Sequence, residues 1–434
     1  MTYAEALEYI SAGGRFGIKL GLERVRALLD VLGAPDQGMR GVLVGGTNGK
    51  GSTCAYLVSI LTAAGYRVGS MPKPHLQSYT ERVCVDGIPI TKREFARMVA
   101  GLRPAVEEVS RELGQPTEFE MLTAGAIKYL RDAGIDWLVC EVGLGGTLDA
   151  TNVLNLGVKV ITSVDLDHQQ HLGSDIAAIA EQKAGIIHDG DIVIAGELDA
   201  EAEAVVRRHA DDAGVELWEL GGNLQLVVEE SGWRGSRFQM HAPADPDDIW
   251  YLETRLLGAH QAQNATLAIA AAYAIYSRWG ARLGRGHMRK GVLRTAWPGR
   301  LELVRGRPRV LIDSAHNPAA MRKVVGAVEA LAGDIGPPPV VVFGAMADKD
   351  VRGMLKALPQ EWPAIHTAVA EARALPAVEV LAAAEALGRA GDIAADSVAA
   401  ALARAKTAAG SRGLVLVAGS LYLAGEARTA LGLP

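Results

Sequence analysis

A glycine-rich turn between an apolar run and a helical segment constrains the fold of this chain more than any other feature. Residues 42–44 (VLV) predict a short buried strand, residues 45–53 (GGTNGKGST) form the turn, and residues 54–61 predict a helix. Such a turn directs backbone N–H groups, a helix N-terminus and the Lys50 ammonium at one point, which is how proteins bind polyphosphates. The strict P-loop pattern has Ser or Thr directly after the lysine, whereas Gly51 intervenes here. The turn therefore predicts nucleotide binding through a variant P-loop.

Apolar runs alternate with amphipathic segments along most of the chain, which predicts doubly wound, mostly parallel α/β sheets. The predicted strands are 137–140, 158–164, 191–195, 309–312, 340–343 and 414–418. The predicted helices are 91–113, 174–184, 318–331 and 397–409.

Two segments interrupt this alternation and suggest how the chain is divided. Residues 222–257 alternate apolar and polar positions, which predicts a small antiparallel insert, and Trp-Pro-Gly-Arg at 297–300 precedes a second strand–helix series. A chain of 434 residues is too long for one ordinary core. We therefore expect a P-loop domain over residues 1–295 and a C-terminal Rossmann-like domain over residues 296–434.

Charge and cysteine content narrow the class of protein. The formal charge of −6 argues against a nucleic-acid partner, because such proteins usually carry a basic surface. No apolar stretch is long enough to span a bilayer, and the N-terminus lacks a signal-peptide pattern. Cys54, Cys84 and Cys140 are scattered and odd in number, as is typical of buried thiols in a reducing compartment. We expect a cytoplasmic enzyme that binds neither nucleic acid nor membrane.

Polar groups follow the predicted strands at the edge where ligands bind in open parallel sheets. Glu141 follows residues 137–140 and could hold Mg²⁺, or it could be a solvated acid at a strand end. His168 follows residues 158–164 and could ligate a cation or orient a water, although a lone histidine is more often packed or on the surface. Lys183, on a predicted helix, reads by itself as a solvated charge.

The C-terminal half has a comparable cluster. Asp313, Ser314 and His316 follow the predicted strand 309–312, and Arg300 lies just past the expected boundary. Spacing leaves two interpretations open: these groups face the P-loop across a cleft, or they are helix caps and surface pairs.

The ordered motifs of the chain, taken together, resemble those of the folylpolyglutamate synthase/dihydrofolate synthase family in the Mur ligase superfamily. The resemblance covers nearly the whole length, and Gly51 after Lys50 is the family's own form of the loop. The matching segments are 17–25 (GIKLGLERV), 46–53 (GTNGKGST), 74–76 (PHL), 79–83 (YTERV), 119–123 (FEMLT), 141–146 (EVGLGG), 148–153 (LDATNV), 166–168 (LDH), 183–186 (KAGI), 258–261 (GAHQ), 264–265 (NA), 298–302 (PGRLE), 313 (D), 315–318 (AHNP), 343–344 (FG), 348–350 (DKD) and 419–421 (GSL).

The resemblance implies an ATP-dependent amide ligase with ATP and Mg²⁺ as cofactors. ATP would phosphorylate a folate or pteroate carboxylate, and the amino group of L-glutamate would then attack the acyl phosphate. The resemblance does not separate dihydrofolate synthase from folylpolyglutamate synthase activity. A monomeric enzyme is expected.

The resemblance also assigns residues by motif match. The catalytic set is Lys50, His168 and Lys183, and Lys183 matches a lysine that is typically carbamylated in this superfamily. The metal ligands are Glu141 and His168. The nucleotide contacts are Thr47, Asn48, Gly49, Lys50, Gly51, Ser52, Thr53, Asn264, Arg300 and Asp313. The substrate contacts are Arg82, on the loop that helps bind the pterin, and His316 and Ser420 in the glutamate site.

Three positions depart from the family pattern. Lys73 stands where a serine usually helps to hold Mg²⁺, Gln182 stands where glutamate is usual, and Ser314 replaces a glycine. An ammonium cannot ligate a cation, so one metal position differs. These departures keep three other interpretations open: a ligase for a different acid, a P-loop ATPase or kinase that makes no amide, and a non-catalytic relative that binds nucleotide or pterin.

Overall fold

A computed structural model describes residues 1–14, 21–242, 245–333 and 337–434. Residues 17–20 of the motif at 17–25 lie outside the described residues. The chain divides into two compact units. The first comprises Met1–Leu226, Met240–Trp250 and Gln263–Arg294, and the second comprises Val227–Gln239, Tyr251–Ala262 and Thr295–Pro434.

The first unit is built around an eight-stranded sheet of order β4-β3-β2-β5-β1-β6-β7-β8. Six strands pair in parallel, and the short β3 and β4 add an antiparallel edge. The strands are β1 (Gly41–Gly45), β2 (Val68–Met71), β3 (Cys84–Val85), β4 (Ile88–Pro89), β5 (Trp137–Glu141), β6 (Gly157–Ile161), β7 (Ile192–Ala195) and β8 (Glu216–Glu219). The helices are α1 (Tyr3–Gly14), α2 (Glu23–Val31), α3 (Lys50–Ala63), α4 (Lys92–Leu113), α5 (Glu118–Asp132), α6 (Gln169–Leu172), α7 (Ile176–Ala184), α8 (Ala200–Asp212), α9 (His260–Trp279) and α10 (Arg285–Arg294).

The insert and the C-terminal series form two further sheets. The insert is a three-stranded sheet of β9 (Leu226–Gly232), β10 (Gly235–Ala242) and β11 (Asp245–Thr254). Only two residues join β9 to β10, so this pair can only be antiparallel. The other sheet has the order β12-β13-β17-β14-β15-β16, in which β12 alone pairs antiparallel. Its strands are β12 (Glu302–Val304), β13 (Arg309–Ile312), β14 (Val340–Phe343), β15 (Ala364–His366), β16 (Ile393–Ala394) and β17 (Leu414–Ala418). Its helices are α11 (Pro318–Ala332), α12 (Val351–Ala357), α13 (Ala377–Glu385), α14 (Val398–Ala409) and α15 (Leu421–Ala430).

The predicted fold class is confirmed, and local chemistry sets most element boundaries. Thr91 caps α4 through a reciprocal pair of hydrogen bonds with Glu94, which satisfies backbone donors that the first helical turn leaves over. The strand predicted over 158–164 is too long, because β6 ends at Ile161. Residues 162–165 do not continue the strand, because they bind the glycine-rich turn instead. Among the described residues, no helix has the length and apolarity that a membrane crossing requires.

The three cysteines are buried and unpaired by disulfides, as predicted. Cys54 lies in α3 and Cys140 in the buried strand β5. Burial raises the pKa of the Cys140 thiol to about 11, so this group behaves as a small apolar side chain.

Candidate active site

The glycine-rich turn connects β1 directly to α3. Gly49 is the residue before the helix and adopts a left-handed conformation with φ of 89°, which glycine enters without steric cost. The Lys50 ammonium turns back over the loop and donates to the carbonyl oxygens of Gly46 (2.9 Å) and Thr47 (3.0 Å). A fixed positive charge and the start of a 14-residue helix thus meet at one loop, which suits a polyphosphate.

The residues after β6 hold this loop in place. The Thr47 N–H donates to the Ser163 carbonyl (2.7 Å), and the Asn48 side-chain amide donates to Asp165 Oδ2 (3.0 Å). The Thr162 hydroxyl donates to the Asn48 carbonyl (2.7 Å). Thr47 and Asn48 therefore position the loop through these contacts, and two of the residues that they bind, Thr162 and Ser163, were absent from the sequence-based site.

Helix α9 brings Asn264 to the same loop. A Cβ built on Gly49 would lie 2.5 Å from Asn264 Oδ1, and one built on Gly46 would lie 2.1 Å from Thr162 Oγ1. A side chain at either position would displace these neighbours, and both glycines have a positive φ, 89° at Gly49 and 130° at Gly46, that other residues rarely adopt. The structure therefore places Asn264 against the predicted nucleotide loop, although Gly49 and Asn264 lie 215 positions apart in the sequence.

We expect Gly49→Ala to reduce nucleotide affinity far more than Gly65→Ala does. Both glycines have φ of 89°, but a Cβ at Gly65 has no atom within 4 Å. Each substitution should cost about 1–2 kcal/mol of stability, because alanine is strained in that conformation, whereas only Gly49→Ala also displaces Asn264. Calorimetric titration with ADP, alongside urea unfolding, separates the two effects. Equal nucleotide affinities in the two variants would contradict the tight packing of Asn264 on the loop.

Glu141 ends β5, next to the strand that feeds the loop. Val44 of β1 pairs with Glu141, so the carboxylate lies at the same edge of the sheet. Its side chain is buried and accepts a hydrogen bond from the Lys73 N–H (3.0 Å). The interpretation of Glu141 as a solvated acid is therefore wrong.

Lys183 lies in the last turn of α7 and is also buried, so its interpretation as a solvated charge is wrong. Burial and then the charge of Lys50 lower the pKa of its ammonium to about 7, against the opposing effect of Asp167, Asp165 and Asp149. The electrostatic effect of Lys50 indicates that both lysines lie in one region. Near pH 7, an amine with this pKa is present in comparable amounts as the charged form and the neutral, nucleophilic form.

His168 occupies a strained position just before the four-residue helix α6. Its φ of 51° and ψ of 36° are left-handed, which is uncommon for residues other than glycine. Its backbone N–H donates to Asp167 Oδ1 (2.8 Å), and its side chain is about one third exposed. The part of the chain that the structure describes contains no group of three or more His, Cys, Asp or Glu side chains arranged to hold a metal. The metal contacts of Glu141 and His168 stay predictions.

Arg82 lies in an aromatic and charged cluster on the loop after β2. Its Nε donates to His75 Nδ1 (2.9 Å), and its guanidinium lies 4.9 Å from the ring centroid of Tyr79. Burial, and then the charge of Arg82, lower the pKa of His75 to about 3, so His75 is a neutral acceptor. The Tyr79 hydroxyl donates to Glu118 (3.1 Å). The cluster thus combines planar rings with a fixed cation, which suits a flat heteroaromatic group with polar edges.

In the second unit, Asp313 organises the residues that follow β13. Its carboxylate accepts hydrogen bonds from the N–H groups of Leu301 (2.8 Å) and Ala315 (2.7 Å), and burial raises its pKa. Leu301 has a positive φ of 42°, so this contact supports a strained backbone. The adjacent Arg300 opposes the shift through its charge. Asp313 therefore has a positioning role in addition to the predicted nucleotide contact.

His316 and Ser420 also lie in the second unit, each at the start of a helix. His316 Nδ1 contacts the Ser314 carbonyl (2.9 Å), two residues before α11 begins. Ser420 is the buried cap of α15, and its hydroxyl accepts from the Tyr422 N–H (3.2 Å). Ser420 thus caps a helix, and the glutamate contact predicted for it stays a prediction.

Comparison with known proteins gives matches over both units. A family model described as the Mur ligase middle domain matches residues 44–272, and one described as the Mur ligase glutamate ligase domain matches residues 299–421. The dihydrofolate synthase/folylpolyglutamate synthase of Bacillus subtilis is 36% identical over 434 residues, covering 99% of each protein.

Solved structures agree over the whole chain. Folylpolyglutamate synthase of Mycobacterium tuberculosis complexed with ADP has a TM-score of 0.91 and 30% identity, covering 100% of this chain and 99% of that one. FolC of E. coli in complex with DHPP and ADP has a TM-score of 0.87 and 31% identity, covering 100% of this chain and 98% of that one. The similarity in sequence and in fold therefore covers both the phosphate loop and the residues around Asp313.

Proposed function

This chain belongs to the dihydrofolate synthase/folylpolyglutamate synthase family of ATP-dependent ligases, and we propose that its site joins L-glutamate to a folate or pteroate carboxylate. The observation that supports this most directly is the phosphate loop. Its lysine, the start of its helix and the residues that hold the loop in place lie at the same edge of the sheet as the buried Glu141. The relatives named above, with ADP and DHPP in their structures, support the same substrates. We propose residues 1–295 as the nucleotide-binding domain and residues 296–434 as the glutamate-ligase domain.

The reaction requires two transfers at one carboxyl group. A carboxylate oxygen of the acceptor attacks the γ-phosphorus of ATP, the bond to the bridging oxygen breaks, and ADP departs with that electron pair. The glutamate amine then attacks the acyl carbon, loses a proton and expels inorganic phosphate. The loop amides and Lys50 hold the phosphates in line for the first transfer, because preorganised donors stabilise the charge that moves between oxygens.

Glu141 fits Mg²⁺ as one ligand of several. Mg²⁺ is usually held by one or two carboxylates, with waters and substrate phosphates filling the other positions. A buried carboxylate beside a phosphate loop meets that requirement, and His168 is proposed as the second contact. When bound, Mg²⁺ neutralises phosphate charge and polarises the transferring group.

The remaining residues are proposed to bind and orient the substrates. Arg82 and its aromatic neighbours suit the pterin ring of the acceptor, and the tilted ring pair of His75 and Tyr79 with the guanidinium over Tyr79 supports this. His316 and Ser420 are proposed to bind glutamate. Asn264, Arg300 and Asp313 are proposed to bind the nucleotide, and the packing of Asn264 on Gly49 supports its part in this.

A mass-spectrometric product assay tests the function. Purified protein, ATP, Mg²⁺ and glutamate are offered dihydropteroate, tetrahydrofolate or an unrelated carboxylic acid. We expect one glutamyl unit on dihydropteroate, serial glutamyl units on tetrahydrofolate, or both. Phosphate release that does not depend on glutamate would instead identify an ATPase, and glutamylation of the unrelated acid alone would identify a ligase of different specificity.

A further inference from the structure

The ammonium of Lys73 is buried without a hydrogen-bond partner at the ligand-binding edge of the first sheet. Lys73 follows β2, which pairs with β5, and its backbone N–H contacts Glu141. Its Nζ has less than 1 Å² of exposed surface and no acceptor among the described residues. An ammonium carries three donors, and burying a charge without acceptors is strongly unfavourable. The group therefore needs an anion that the protein itself does not supply.

Phe119 forms one wall around this ammonium. Lys73 Nζ lies 4.3 Å from the centroid of the Phe119 ring. The same ring packs on the loop after Glu141, because a Cβ built on Gly143 would lie 2.7 Å from Phe119 Cζ. A ring face attracts a cation, yet it offers no lone pair to the ammonium N–H groups. Phe119 thus orients Lys73 and leaves its hydrogen-bonding capacity unused.

The charge of Lys73 reaches the same region as the charge of Lys50. Burial raises the pKa of the Cys54 thiol in α3, and the positive charges of Lys50 and Lys73 both oppose that increase. In the strand order β2-β5-β1, Lys73 and the phosphate loop stand on opposite sides of Glu141. An anion that extends from the loop past Glu141 would therefore approach Lys73 with its outermost group.

We propose that Lys73 is a catalytic residue whose ammonium binds the γ-phosphoryl oxygens of ATP and remains bound to them during transfer to the acceptor. This inference deepens the proposed function and rests on it. As the acceptor oxygen bonds to phosphorus and ADP leaves with the bridging oxygen, the nonbridging oxygens keep their negative charge. Lys73 stays protonated and donates hydrogen bonds to those oxygens throughout.

The test compares ligands that differ in the γ-phosphoryl group. Calorimetric affinities for ADP and for the nonhydrolysable analogue AMPPCP are measured with Mg²⁺ for the wild type, Lys73→Met, Lys73→Gln and Lys73→Arg. A charge-assisted hydrogen bond is worth roughly tenfold to hundredfold in affinity. We expect Lys73→Met and Lys73→Gln to reduce the affinity for AMPPCP by that factor and to leave the affinity for ADP unchanged. Lys73→Arg should retain most of the wild-type preference for AMPPCP over ADP. Thermal unfolding confirms that the variants fold.

Each other outcome overturns the inference in a recognisable way. Equal effects on ADP and AMPPCP, or no effect on either, would mean that Lys73 has a structural role only. A higher KM for the acceptor with an intact AMPPCP affinity would mean that the ammonium binds the acceptor carboxylate instead. Failure of the wild type to bind either nucleotide would overturn the proposed function as well, and therefore differs from failure of this inference alone.

Discussion

Replacing Lys50 with methionine is expected to reduce glutamate ligation by roughly 10³-fold, at the upper end of what loss of one preorganised donor costs. Methionine keeps the unbranched apolar stem but removes the charge that lies over the Gly46 and Thr47 carbonyls. Phosphate charge that builds up during transfer would then lack its nearest fixed cation. The measurement is the initial rate of glutamyl product formation at saturating ATP, followed by mass spectrometry.

Lys290→Met is the matched control for this substitution. Lys290 lies exposed on α10 in the same unit, so its replacement changes net charge by the same amount without touching the loop. We expect near-normal ligation by Lys290→Met and unchanged urea unfolding for both variants. Normal ligation by folded Lys50→Met would remove Lys50 from the catalytic site.

The fold was largely predictable because its signals are local. Continuous apolar runs give the buried parallel strands, so the strands at 309–312, 340–343 and 414–418 agree with the structure at both ends. Helix starts were marked by capping residues such as Thr91 and Ser397, each of which lies one position before its helix. The strand predicted at 158–164 failed at its end, because contacts of residues 162–165 with the loop compete with the ladder.

The site was predictable only where a motif carries its own chemistry. The loop with Lys50 has such a motif. Thr162 and Ser163 have common side chains, and their role depends on the fold placing them next to the loop. The burial of charged side chains was equally unpredictable from the sequence. Glu141 and Lys183 read as solvated charges until neighbouring elements are placed around them. A sequence pattern specifies residue type and spacing, but desolvation depends on tertiary packing.

Lys183 is expected to form a carbamate with CO₂, and Lys183→Met is expected to lose roughly 10²-fold or more of the ligation rate. Only a neutral amine attacks CO₂, and burial holds the pKa of this ammonium near 7 instead of its ordinary 10.5. Carbamylation converts a buried cation into an anion that can accept hydrogen bonds or ligate a cation. The measurement is the ¹³C NMR carbamate signal of protein equilibrated with ¹³CO₂, which should weaken as the pH falls below about 7.

The control is the second buried lysine of the same unit. Lys159 is fully buried, and burial lowers the pKa of its ammonium, but it lies 3.7 Å from Asp191, whose carboxylate opposes that shift. Lys183→Met should remove one carbamate resonance, whereas any resonance of Lys159 or of the N-terminal amine should persist; a spectrum that Lys183→Met leaves unchanged would contradict the assignment. Stability gives a further check in CO₂-free buffer. Between pH 7 and 10.5 the unfolded state binds a proton that native Lys183 does not, so the unfolding free energy rises with pH. Lys183→Met should lack this increase.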